Sequence, residues 1–187
     1  MTEVRARFRS RAIGVVVALL AVGFITAMAV TGGRRESQQR VRFEAAGLMA
    51  ATPSDVDRVE VTGEGRQVTL LRAGGRWNVE GRVGRAPDPL ASSLETSLRF
   101  MHAAEPVRTL ARGEWQGTAL EEFGLAPARY VVRLSGRGRT VLATRFGVTN
   151  PQQVLQYAQV DGRDEVYLLP RFVGKEWERV LEGAAAR

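Results

Sequence analysis

His102 is the only histidine in the chain, so imidazole chemistry has a single candidate. Base catalysis needs a nucleophile and an orienting group beside the ring. Neither accompanies His102 in a recognisable pattern. The residue closes a leucine-patterned segment, where a partial positive charge suits helix carbonyls, and it reads as a structural, helix-end histidine. Glu121 and Glu122 are adjacent, and adjacent side chains on a helix do not face each other. Glu121 instead completes a capping box that begins at Thr118. Asp161, Asp164 and Glu165 fall short of the ligand count of a calcium loop and read as an acidic hairpin turn. Gly63-x-Gly65 and Gly136-x-Gly138 neither open a helix nor continue into a phosphate-binding fingerprint, so both read as hairpin turns. The absence of cysteine removes disulfides, thiolate metal sites and thiol nucleophiles. The expectation is a protein without enzymatic activity, cofactor or metal.

Three tryptophans remain as candidates for recognition. Trp77 and Trp177 fall in expected regular elements, where a large ring fills a core. Trp115 lies in the Arg112–Gly117 loop. It is therefore the expected exposed contact to a partner or ligand, with Arg112 beside it.

The net charge of +7 suggests an acidic partner until it is located along the chain. Residues 1–42 hold eight arginines against Glu3 and Glu36, whereas residues 43–187 are close to neutral. A phosphate-binding domain would carry its excess on the folded part, so nucleic acid is not an expected partner. The excess flanks an uncharged run at residues 12–30, nineteen residues of apolar and small side chains. As a helix this run spans roughly 28 Å, close to the ~30 Å hydrocarbon core of a bilayer. Arg5, Arg7, Arg9 and Arg11 precede it, and Arg34 and Arg35 follow. Two readings stand: a retained signal anchor, favoured by the length of the run, and a signal cleaved after Ala29. The tight N-terminal arginine cluster places the N-terminus in the cytoplasm. The expected organisation is a basic N-terminus at 1–11, a signal anchor at 12–33, a juxtamembrane stalk at 34–54 and an extracytoplasmic domain at 55–183.

Within that domain the patterning predicts an α+β fold with antiparallel sheet. Alternating valines and leucines around Gly63–Gly65 predict a hairpin, followed by a strand at Trp77. Asp88 is the expected N-cap of a helix with Pro89 at its first position, and Leu90, Leu94, Leu98 and Met101 form one stripe. A short helix is expected from Thr118 to Gly124. Four strand runs follow at 129–135, 140–146, 155–160 and 165–169. A closing helix carries Phe172, Val173, Trp177, Val180 and Leu181. Residues 58–72 match residues 131–145 without gaps at six of fifteen positions, which suggests two related β-rich halves.

Several of these pieces occur together in one family. Gly75-Arg76-Trp77, Ala86-Pro87-Asp88, Glu105-Pro106-Val107, Phe123-Gly124-Leu125-Ala126-Pro127, Phe146-Gly147, Gln156-Tyr157-Ala158 and Val166-Tyr167-Leu168-Leu169 resemble the "domain of unknown function 4340" family of bacterial envelope proteins. The resemblance covers roughly Val56 to Leu181. It implies an N-terminal membrane segment, residence in the bacterial inner membrane and ABC transporter subunits as a class of partner. It transfers no catalytic residue. Two functions follow as expectations: a non-enzymatic accessory protein that docks onto an envelope assembly, or a module that binds a glycan or small solute in an aromatic cleft.

Overall fold

The computed structural model describes residues 21–24 and 46–185. Residues 21–24 are helical, while the rest of the expected anchor and all its flanking arginines lie outside the described residues. No helix among the described residues is long and apolar enough to cross a membrane.

Residues 46–185 build eight strands and three α-helices. The strands are β1 (Arg58–Gly63), β2 (Arg66–Ala73), β3 (Arg76–Val79), β4 (Arg108–Leu110), β5 (Tyr130–Gly136), β6 (Arg139–Thr149), β7 (Leu155–Val160) and β8 (Val166–Pro170). They form one sheet in the order β3-β2-β1-β5-β6-β7-β8-β4, with every neighbouring pair antiparallel. The helices are α1 (Asp88–Ala103), α2 (Arg112–Trp115) and α3 (Arg171–Ala185). This is the α+β, antiparallel-sheet architecture that the alternation implied.

The two glycine motifs are hairpin turns. Glu64 and Gly65 have φ of 53° and 71°, and Arg137 and Gly138 have φ of 52° and 73°. Two consecutive left-handed residues make the turn whose twist matches the flanking strands, and glycine at the second position removes the steric cost. The matched hairpins meet at the centre of the sheet, where β1 pairs β5 with Val59 opposite Leu134 and Val61 opposite Val132. Their equivalence stops at a bulge after Leu134, where the β5–β6 register shifts. Arg72 and Arg145 match in sequence, yet the extra residue turns them to opposite faces. Arg72 reaches Glu95 on α1 at 2.7 Å, and Arg145 reaches Asp161 at 3.1 Å.

One face of the sheet carries the main core. Val59, Val61, Leu70, Leu134, Phe146 and Ala158 are fully buried there, with Leu94 and Leu98 of α1 and Trp177 and Val180 of α3. A helix with one apolar stripe stabilises itself by covering such a face. Trp77 donates its indole N–H to Glu95 at 2.7 Å and, like Trp177, is core.

Four boundaries differ from the sequence expectation. Residues 46–54 belong to the domain and not to a stalk. Leu48 and Met49 are buried, and the Gly47 and Met49 amides donate to the His102 and Met101 carbonyls at the end of α1, at 3.0 and 2.9 Å. Those carbonyls have no partner within their own helix, which is why a crossing segment is held there. Asp88 is the first helical residue and makes no side-chain cap, because Pro87 occupies the cap position. No α-helix forms at Thr118–Gly124. The helix is instead α2, which begins six residues before Thr118, and turns follow it. Leu120, Phe123 and Leu125 pack inward there, and that tertiary burial outweighs the local capping signal. β4 has no alternating pattern of its own, since its three residues are pinned by β8.

Candidate functional site

Trp115 and Arg112, the expected contact residues, meet in α2, but not as an exposed pair. Trp115 is 4% exposed and packs with Leu125 and Val166 in a second apolar cluster. This cluster lies on the sheet face opposite the main core, since Val166 pairs Leu110 one position out of phase with the core residue Tyr167. Phe123 packs edge-on against Trp115 at 6.3 Å and tilted against Tyr157 at 4.8 Å. Arg112 is exposed, and its guanidinium carbon sits 4.1 Å from the Trp115 ring centre. The guanidinium covers the ring and does not present it. The entry to α2 is fixed by Glu114, whose carboxylate accepts the Ala111 amide at 2.8 Å and an Arg108 N–H at 3.0 Å. The Ala111 hydrogen bond, then Arg108, hold that carboxyl below the usual carboxylate range. Arg112 and Trp115 thus clamp the 111–127 segment onto the sheet.

The other chemical candidates are spread apart. His102 Nδ1 lies 3.1 Å from the Met49 carbonyl and serves the crossing segment at the end of α1. Asp161 is engaged by Arg145. Among the described residues no three carboxylates or imidazoles converge as a metal cluster would require.

A buried polar network was invisible in the sequence. The Tyr130 hydroxyl donates to the Gly174 carbonyl at 3.1 Å, and Gln156 Nε2 donates to the Gly147 carbonyl at 2.9 Å. Arg171 donates to Gln156 Oε1 at 3.1 Å and to Glu178 at 2.6 Å. Burial pushes the Tyr130 phenol well above its ordinary range, and the Glu178 carboxylate adds to the shift. The network fixes the start of α3 on the sheet. Buried Tyr130 and Gln156 are here held by protein partners.

A few apolar side chains also reach solvent. Val107, Val154 and Phe172 are 63%, 60% and 48% exposed. Their backbones converge on the end of β8: Val107 N–H donates to the Leu168 carbonyl, and Arg171 N–H donates to the Val154 carbonyl, both at 2.9 Å. Phe172, expected in the core stripe of the closing helix, instead packs edge-on against Phe100 of α1 at 4.8 Å. It lies in the first turn of α3, at the rim, before the helix stripe reaches the core. Val107, Val154 and Phe172 thus expose apolar side chains around one end of β8, and exposed apolar side chains favour contact with another apolar surface. No family model, curated protein or solved structure matches the chain.

Proposed function

We propose that this is a non-enzymatic accessory protein of the bacterial inner membrane. Its N-terminal run anchors it as a single-pass protein, and its extracytoplasmic domain docks onto an envelope assembly. The resemblance described above makes the subunits of an ABC transporter the class of partner. The observation that carries the docking reading is the apolar corner of Val107, Val154 and Phe172. A surface of this kind suits a partner with a complementary apolar patch. An aromatic-lined cleft containing Trp115 would favour the glycan or solute reading, and that ring is buried.

Site-specific photo-cross-linking in native membranes tests the proposal. A probe at position 172 or 154 is expected to capture one integral membrane protein, and a probe at Gln67 on β2, an exposed position, is not. Equal capture from all three positions, or none from 154 and 172, would contradict it.

A further inference from the structure

A groove of about 460 Å³ lies beside the segment through which the chain enters the domain. Leu48, Ala51 and Leu142 give it an apolar wall, and Arg137, Arg139 and Arg163 line it from the β5–β6 and β7–β8 turns. Asp55 is the acidic residue of the lining. Its carboxylate accepts the Thr52 hydroxyl at 2.7 Å and the Thr52 amide at 3.1 Å, and it lies 3.8 Å from the Arg137 guanidinium. The Arg137 side chain is 84% exposed, while its backbone amide is held by Asp57 at 2.8 Å. Arg163 donates to the Tyr167 hydroxyl at 3.3 Å, and Arg139 makes no ion pair among the described residues. The nearby Asp161 is taken by Arg145. Three arginines and one carboxylate, already hydrogen-bonded, therefore line the groove.

We propose that this groove binds the phosphate of an anionic phospholipid headgroup at the surface of the membrane that holds the anchor. Guanidinium groups match phosphate oxygens with paired N–H donors, and the apolar wall suits the glycerol end of a lipid. The choice of a lipid rests on the membrane-anchor reading and on where the chain leads. The groove is built against residues 48–51, and only residues 31–47 separate that segment from the apolar run. Seventeen residues reach at most about 60 Å when fully extended. This connector carries Arg34, Arg35, Arg40 and Arg42, and basic residues near a membrane are drawn to anionic headgroups.

The test uses the full chain in nanodiscs of phosphatidylcholine alone or mixed with phosphatidylglycerol, read by amide hydrogen exchange. Phosphatidylglycerol is expected to slow exchange at 50–55 and 137–139 by about fivefold or more, the worth of one basic side chain at an anionic surface. The effect is lost in R137Q/R139Q/R163Q, reduced when the same three become lysine, and weakened by salt. Equal exchange in the two lipids, or slowing that persists in the glutamine variant, overturns the proposal. Equal slowing in phosphatidylcholine discs with added inorganic phosphate or a soluble acidic peptide overturns the lipid as the source. Failure of the wild type to insert into discs would instead count against the anchor itself.

Discussion

Glu60 faces Arg133 across the β1–β5 pairing, and the two are also each other's counterparts in the internal sequence repeat. The same relation exchanges the flanking pairs: Val59 with Leu134 becomes Val132 with Val61. The repeat is thus centred on its own junction, with one meander running outward through β2 and β3 and the other through β6 and β7.

Opposite charges at that junction are expected to favour the register. Glu60 also accepts Arg58 at 2.8 Å, so Glu60→Arg would gather three guanidinium groups on neighbouring positions. The expected loss is about 1 kcal/mol, the scale of a cross-strand pair, with most of it recovered in the double variant E60R/R133E. Urea unfolding measures both, and no recovery would show that the pair is not coupled.

The stripe of α1 is the main support of the core. Leu94 is fully buried, and Leu94→Ala is expected to cost about 2–5 kcal/mol by lost transfer energy and a residual cavity. An unchanged unfolding midpoint would refute this burial.

Two glycines of α3 respond in opposite directions. A Cβ on Gly174 would overlap Gln156 Oε1 and approach the Tyr130 hydroxyl at 2.7 Å, within the polar network. Gly174→Ala should destabilise by about 1–3 kcal/mol. A Cβ on Gly183 meets only Leu90, at an ordinary 3.6 Å, and Gly183→Ala should stabilise by about 0.5–1 kcal/mol through helix propensity. Thermal melts of the two variants that move the same way would contradict this packing.

Alkaline stability tests the Tyr130 environment. Its folded pKa is raised above the ordinary 10.0, so the native state keeps a proton that the unfolded chain releases. The associated stability is present below about pH 10 and declines as pH rises above it. Tyr130→Phe forfeits about 1 kcal/mol at neutral pH with its hydrogen bond, but should show a shallower decline between about pH 10 and 12. Parallel denaturation curves for both proteins across that range would exclude the effect.

The elements that could be read in advance were those fixed by local chemistry. The two-residue turns at Gly65 and Gly138, the stripe from Leu90 to Met101 and the strand runs at 155–160 and 165–169 follow from turn residues and periodicity alone. What stayed hidden depended on distant partners. β4 is held by β8, residues 47–49 by the end of α1, and Trp115 is buried by Leu125 and Val166. The apolar corner was illegible for the same reason. Phe172 belongs to the helix pattern, and only the position of α3 against Phe100 shows that its ring lies at the rim.

The central claim is that this corner holds the domain to a membrane partner. The most direct test is the mass of the particle extracted from native membranes in mild detergent, for the wild type and for V154D/F172D. A wild-type particle containing integral membrane subunits in fixed ratio, reduced to the lone chain in a variant of unchanged melting temperature, is the predicted result. A wild type that emerges alone, or an assembly that survives the double substitution, would contradict it.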